Sequence, residues 1–384
     1  MNALANFGVL GMHIVFAGGG TAGHINPAIA VAGYLKQVDK ECKISFIGTA
    51  KGMESRLVPL AGYDFYTIDV AGFQRKITLK NIGRNISAAY KAVASSFSSK
   101  RLLKQLDPDV VVGTGGYVCG PVLREAAKLG IKTAVHEANA YPGVTIKMLA
   151  PLVDVVMVAM EDALKNLKPK NPAIVTGNPI RQSLTAISKW EAREKLNIPD
   201  DAKVLLSFGG SLGARAINDA VLEVIKFNLN AKEFIHFHGT GKSAYADFLK
   251  RAEVIGYTAE NKNVKILEYI DNMDVMMAAA DVVISRAGAM SVNELQVCKK
   301  PSILIPSPYV AENHQFHNAM SLKKIEAAEL IEEKDLTGET LLNAVKSLIN
   351  NRERLEAMSK AAETTAIPDA DRRIAEIIIN LIKK

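Results

Sequence analysis

The feature that most restricts the fold of this chain is a pattern written twice: a short apolar strand-like run, a glycine cluster, and a helix-forming segment. In the first half, His13-Ile14-Val15-Phe16-Ala17 runs into Gly18-Gly19-Gly20-Thr21-Ala22-Gly23-His24, and in the second, residues 203–208 run into Gly209-Gly210-Ser211-Leu212-Gly213. A strand that turns through glycines into a helix sets main-chain amides beside the carboxyl end of that strand, where parallel sheets bind ligands. One such loop is weak evidence. One in each half predicts an α/β chain of two Rossmann-like domains. The expected boundaries are 1–180 and 181–367, and Pro368 starts a last helix, 368–384, that can leave the second domain and dock on the first.

Length and composition fit. The 384 residues are 48% hydrophobic, enough for two cores. Cys42, Cys119 and Cys298 are an odd number without CxxC or Cys/His spacing, so neither a disulfide framework nor a zinc site is expected. Residues 1–12 lack the cationic start and apolar core of a signal peptide, and no apolar run has the length of a bilayer span. A cytoplasmic location is expected. The net charge of +7 favours an anionic partner of unspecified class.

The first glycine loop has the pattern of a phosphate cradle, with Thr21, Ala22 and Gly23 lining it. Gly18-Gly19-Gly20 departs from G-x-G-x-x-G, and residues 43–48 end without the acidic residue that would take a ribose, which argues against NAD. Pro27 suits a first helical turn and places the helix start near Asn26. His24 stands at that start, where the helix dipole favours a neutral imidazole able to act as a base; an ordinary polar cap is the alternative.

Further polar clusters follow strand-like runs. Gly115-Gly116-Tyr117 follows residues 109–113, His136-Glu137-Ala138-Asn139 ends the run 132–135, and Asn178-Pro179-Ile180-Arg181 closes the first half. Arg181 can reach either a diphosphate or an internal carboxylate. In the second half, Val282-Val283-Ile284 leads through Arg286-Ala287-Gly288-Ala289 into a helix expected near Met290. Ser291 falls in its first turn and Glu294 one turn later. Glu294 can accept from both hydroxyls of a ribose or merely pair on a helix surface. From Leu336 onward the chain reads as helical, broken at Ile367-Pro368-Asp369.

Arg75, Lys76, Lys80, Arg84, Lys91, Lys100, Arg101 and Lys104 alternate with Phe73, Ile77, Leu79, Ile82 and Ile86, without acids. Either an anionic bilayer surface or a solvated helix face accounts for this. Nucleic acid is not expected, because aromatic interleaving and reader motifs are lacking. Asp107-Pro108-Asp109 has the DxD spacing of a metal site but leads straight into a strand, so no metal and no cofactor is expected.

Taken together, GGGTAGH, GTGGY, HEAN, TGNPIR, FGGSLGAR, YIDNM and SRAGAMSVNE resemble the MurG family, the peripheral-membrane N-acetylglucosaminyltransferases of bacterial cell-wall synthesis. The resemblance runs from about His13 to the end. It implies a GT-B fold, two Rossmann-like domains with parallel sheets facing a deep cleft, and inverting transfer of GlcNAc from UDP-GlcNAc to the 4-hydroxyl of the MurNAc of lipid I, giving lipid II. By position, Ser211 and its loop amides would meet the donor diphosphate with Arg181 assisting. Ile270 would present backbone groups to the uracil. Ala289, Met290 and Ser291 would line the diphosphate and nucleoside, Glu294 would bind the ribose and Gln315 the sugar. His24, Tyr117, His136, Glu137 and Asn139 would face the acceptor, with His24 as base and Glu137 and His136 as rivals. The resemblance also implies an anionic membrane surface as partner, at the cytoplasmic face. Two positions depart from the family pattern: Leu212 stands where Gln is common, and His314-Gln315 replaces a Gln-Gln pair. A nucleotide-sugar epimerase and a non-catalytic nucleotide-sugar-binding scaffold are the rival functions.

Overall fold

Parallel sheets covered on both faces are built from continuous apolar runs, and the first strand shows why. Ile14 and Phe16 enter one core layer, while Val15 and Ala17 enter another on the opposite face. The computed structural model describes residues 11–70, 94–210 and 212–383. Ser211 and the basic positions Arg75, Lys76, Lys80, Arg84 and Lys91 lie outside the described residues.

The chain divides into two units, Met1–Pro179 with Asp369–Lys384, and Ile180–Pro368. In the first, β1 (His13–Gly18), β2 (Lys43–Gly48), β3 (Asp64–Thr67), β4 (Val110–Gly115), β5 (Lys132–Glu137), β6 (Val155–Val158) and β7 (Ile174–Val175) form one sheet. Its order is β3-β2-β1-β4-β5-β6-β7, with every pairing parallel. In the second, β8 (Val204–Phe208), β9 (Ile235–Gly239), β10 (Val264–Leu267), β11 (Val282–Ser285), β12 (Ser302–Leu304) and β13 (Ala328–Leu330) follow the order β10-β9-β8-β11-β12-β13, again all parallel. Each sheet is therefore an α/β doubly wound sheet whose strand order reverses once, between β1 and β4 and between β8 and β11. Helices leave opposite faces at a reversal, which opens a crevice at the strand ends.

The helix Ala370–Lys383 belongs to the first unit. Ile374, Ala375, Ile378 and Ile379 are buried against Ile14, Phe16 and the helix Ala22–Val38. Asp369, just before it, pairs with Arg372 and Arg373. Asp109, of the DxD spacing, accepts from the His13 amide at 2.7 Å and so ties β1 to the start of β4.

Two expected boundaries are corrected. The first long helix starts at Ala22 rather than near Asn26, which puts Pro27 inside it and His24 in its first turn. Pro27 has no amide hydrogen to give the Gly23 carbonyl four residues back, so the helix carries one missing backbone bond at that point. The C-terminal segment breaks also between Gly338–Ile349 and Arg352–Thr364, where the Asn351 side chain accepts from the Arg354 amide and caps a new helix.

Two imidazoles lie inside the second unit. The Ser207 hydroxyl on β8 sits 2.8 Å from His236 Nε2 and 2.8 Å from His238 Nδ1, and both rings are wholly buried. Burial pushes His236 well below its usual value and His238 down to about 3. The unfolded chain then binds more protons than the folded one below pH 6.5, so stability should fall as pH falls through that value, by about 1.4 kcal/mol per pH unit for each ring. Urea unfolding followed by fluorescence of Trp190, which lies in the same unit, should show a lower midpoint at pH 5 than at pH 7. Substituting His238→Gln should flatten that fall; a midpoint independent of pH would contradict it.

Candidate functional site

In the first unit the loops after β1 and β4 meet at the order reversal, and only glycine lets them meet. A Cβ on Gly116 would stand 2.3 Å from the Gly19 carbonyl oxygen, and one on Gly115 would stand 2.6 Å from His24 Cδ2. Gly115 and Gly116 also hold φ of +112° and +84°, a region other L residues avoid. The Gly19 amide donates to the Gly115 carbonyl at 3.3 Å. Beneath them the Cys119 thiol, wholly buried and pushed up to about 12 by that burial, accepts from the Gly115 amide at 3.0 Å and donates to the Ala17 carbonyl at 2.9 Å. It is a tie between strands and not a nucleophile.

His24 lies over this junction. Its Nδ1 is 2.9 Å from the Gly19 carbonyl oxygen and 3.3 Å from Thr21 Oγ1. A carbonyl oxygen can only accept, so Nδ1 carries the proton, and in the neutral ring Nε2 carries the lone pair. A base needs that tautomer. Thr21 is exposed, Gly23 is half-buried, and Ala22 opens the helix.

The other polar candidates of this unit are more enclosed. His136 is buried, and its Nε2 is 2.9 Å from the Gly177 carbonyl, which fixes the loop after β7; burial lowers its pKa to about 4. Glu137 is buried too. Its Oε1 accepts from the amide and side chain of Asn139 at 2.9 and 3.0 Å, and Oε2 accepts from the Gly143 amide at 2.8 Å. Burial pushes this carboxyl up, while those bonds and the neighbouring His24 pull it down. Both side chains hold loops: the oxygens of Glu137 are taken by backbone and side-chain donors, and His136, 2% exposed, gives its Nε2 hydrogen to a carbonyl. Tyr117 is the opposite case, 66% exposed beside the glycine junction.

In the second unit the arrangement recurs. Gly210 and Gly213 have φ of +93° and +77°, and the Gly213 amide donates to the Gly210 carbonyl at 2.9 Å. A Cβ on Gly213 would come within 2.1 Å of the Thr240 carbonyl oxygen, so this loop lies flat against the loop after β9. The helix Arg215–Ala231 follows with no side-chain cap on its first turn, and neither has the helix Ala289–Val297 after β11. Such turns present unpaired amides to an anion. Ala289, Met290 and Ser291 occupy the second of these turns, half-buried. Ile270 is buried with its side chain against Gly239 at the end of β9.

Glu294 points back toward the same crevice. Its side chain is 17% exposed, and burial pushes the carboxyl above its ordinary value against the pull of Arg181. Arg181 Nη2 stands 3.9 Å from Glu294 Oε1 and is itself mostly exposed. Gln315 accepts from the Ser307 amide through Oε1 at 2.9 Å, which orients its amide group at the end of β12. Leu212, by contrast, is 85% exposed. Glu54 gives no signal in the sequence beyond the two glycines, Gly48 and Gly52, that precede it. Its carboxylate is buried and accepts from the Gly20 amide of the first glycine loop at 3.0 Å.

Residues 14–158 match the family model described as glycosyltransferase family 28 N-terminal domain, and residues 204–374 match its C-terminal domain. A relative from Acetivibrio thermocellus is 42% identical over 97% of this chain and 99% of its own; it is named UDP-N-acetylglucosamine--N-acetylmuramyl-(pentapeptide) pyrophosphoryl-undecaprenol N-acetylglucosamine transferase. The crystal structure of Acinetobacter baumannii MurG superposes with a TM-score of 0.80 at 30% identity, covering 96% of this chain and 99% of that one. The chain belongs to the MurG family of glycosyltransferases. A UDP-GlcNAc 2-epimerase from Neisseria meningitidis, at 16% identity and a TM-score of 0.64 over 96% of this chain and 100% of its own, shares the fold alone. For a MurG-family chain the two order reversals are thus the places where two GT-B half-folds gather their polar groups.

Glycine positions allow a paired test. Gly116→Ala meets both the left-handed backbone and the Gly19 carbonyl, whereas Gly130→Ala, with φ of +74° and open space around it, meets only the first. Gly130→Ala should cost about 1–2 kcal/mol and Gly116→Ala distinctly more. Denaturant unfolding of both variants checks it, and equal losses would contradict the contact.

Proposed function

We propose that this chain transfers GlcNAc from UDP-GlcNAc to the 4-hydroxyl of the MurNAc in undecaprenyl-diphosphate-MurNAc-pentapeptide, lipid I, giving lipid II with inversion at the anomeric carbon. The observation that carries the mechanism is the Nδ1 bond of His24 to the Gly19 carbonyl, which leaves Nε2 as the proton acceptor. As the acceptor oxygen bonds to the anomeric carbon, its proton passes to Nε2, and the bond to the UDP oxygen breaks on the opposite face. The diphosphate is a good leaving group when its growing charge is held, so a pair of carboxylates is not required. Geometry favours His24, half-buried at the loop, over Glu137, whose oxygens already accept from backbone amides, and over His136, which is buried and whose pKa that burial lowers to about 4.

In the second unit, Ser211 with the amides around Gly210 and Gly213, and those of Ala289, Met290 and Ser291, receive the diphosphate. Arg181 adds a positive charge beside them, Glu294 takes the ribose hydroxyls, Ile270 meets the uracil through its backbone, and Gln315 meets the sugar. In the first unit, Thr21, Ala22, Gly23, Tyr117 and Asn139 receive the acceptor. The acceptor is a lipid, and the same reading places the chain peripherally on the cytoplasmic face of the membrane. Support comes from the helix over 94–106, where exposed Phe97 is followed by exposed Lys100, Arg101 and Lys104 at spacings that share one face. Among the described residues no helix is long and apolar enough to cross a membrane.

Transfer of labelled GlcNAc from UDP-GlcNAc to a lipid I analogue, with UDP release followed in parallel, tests the reaction. Conversion of UDP-GlcNAc to an epimer without acceptor would replace it by epimerase chemistry. His24→Ala should lower kcat by roughly a hundredfold or more. Glu294→Ala should raise the donor KM by about ten- to a hundredfold, since a hydrogen bond to a charged group is worth about 1.5–3 kcal/mol. Changing Phe97, Lys100, Arg101 and Lys104 together to Ser should weaken sedimentation with anionic vesicles and leave transfer to a water-soluble acceptor intact; unchanged sedimentation would remove the membrane face.

A further inference from the structure

We propose that Glu54 is a positioning residue for His24, acting through the single peptide group that joins Gly19 to Gly20. The inference rests on the reading of His24 as the base. Glu54 opens the helix Glu54–Leu60 and is 1% exposed. Its Oε2 accepts from the Gly20 amide at 3.0 Å, and the carbonyl at the other end of that same peptide group accepts from His24 Nδ1 at 2.9 Å. Carboxylate, amide and imidazole are thus joined in line by two hydrogen bonds.

The carboxylate is held in its charged form. Burial pushes the Glu54 carboxyl up, but bonds from the amides of Gly20, Glu54 and Thr49 and from the Thr49 hydroxyl more than offset this, leaving it below its ordinary value. Thr49 donates to Oε1 from its amide at 2.9 Å and its hydroxyl at 2.7 Å, which leaves Oε2 for Gly20. A negative charge on an amide hydrogen draws electron density toward the carbonyl oxygen of that amide, and hydrogen bonds in such a chain strengthen one another. The Gly19 oxygen becomes a better acceptor. It then holds the proton on Nδ1, points Nε2 outward, and stabilises the positive charge that spreads over the ring as Nε2 takes a proton. A carboxylate bonded directly to an imidazole does the same in a hydrolase triad; here one peptide group intervenes.

Three glycines from two segments make room for this side chain. A Cβ on Gly19 would come within 2.4 Å of Glu54 Oε1, one on Gly48 within 2.5 Å of Cγ, and one on Gly52 within 2.2 Å of both oxygens. A loop brace alone could be made by a neutral side chain of the same length. Charge separates the two roles.

Glu54→Gln keeps the shape and removes the charge. In the full chain labelled with 15N-histidine, the Nδ1-protonated form of His24 should dominate at neutral pH and lose population in Glu54→Gln. Over the same change kcat should fall by about tenfold or more while the donor KM stays within about twofold. An unchanged tautomer, or an unchanged kcat, would overturn the proposal. A measurement on the unsubstituted chain covers a variant that does not fold. Couplings across the hydrogen bonds from His24 Nδ1 to the Gly19 carbonyl carbon, and from the Gly20 nitrogen to the Glu54 carboxyl carbon, should both be present, and loss of either overturns it. If the unsubstituted chain transfers no GlcNAc, the proposed reaction falls, while the tautomer and the couplings still decide the role of Glu54.

Discussion

Everything at the first crevice depends on backbone meeting backbone without a side chain between. The strand-order reversal brings the ends of β1 and β4 together, and Gly19, Gly115 and Gly116 let the two loops close to hydrogen-bond distance. One methyl group at Gly116 would force them apart. Because they close, the peptide group between Gly19 and Gly20 has its carbonyl toward the imidazole and its amide toward a buried carboxylate. The second unit solves the same steric problem with Gly213 against Thr240 and Gly241. There the result is a flat loop leading to an uncapped helix, which suits an anion.

The polar groups at these strand ends divide by what their acceptors already do. Glu137 spends its oxygens on Asn139 and Gly143, and His136, sealed from solvent, gives its Nε2 hydrogen to the Gly177 carbonyl, so the chain folds around both as it would around a hydrophobic core. His24 commits one nitrogen to the backbone and keeps the other for chemistry. Glu294 is in between: buried enough for its carboxyl to be pushed up, yet within ion-pair reach of a mostly exposed arginine. Such a group costs stability in the empty protein and is repaid only by a partner that donates to it, as ribose hydroxyls do.

Much of this was legible before any coordinates. Strand runs such as Val282-Val283-Ile284 announce themselves because both faces of a parallel sheet are apolar, and the glycine clusters mark where those strands end. The motifs that carry the family resemblance follow strand-like runs, and two of them contain His24 and Glu294. What failed was local. Pro27 reads as a first-turn residue, but the helix begins at Ala22 and takes the proline in its interior with one backbone bond missing. The break at Asn351 is not expected from the sequence, because capping depends on a side-chain rotamer and not on composition. Arg181 offers two partners by type, and its position 3.9 Å from Glu294 is a relation that only the folded chain shows. Glu54 gave no signal by type or period. Its meaning lies in Gly19 of the first loop closing on a carboxylate already enclosed by Gly48 and Gly52 of its own connection, a relation that exists only in space.

The last helix, Ala370–Lys383, completes a sheet whose first strand begins at His13, with Ile374, Ile378 and Ile379 sealed against Ile14 and Phe16. A chain emerging from the ribosome therefore makes the middle unit whole while the earlier one still shows an oily flank to water. The late-arriving segment acts as a latch: until it comes, the half that began first is the half that finishes last, and it is the one most in need of a chaperone's shelter.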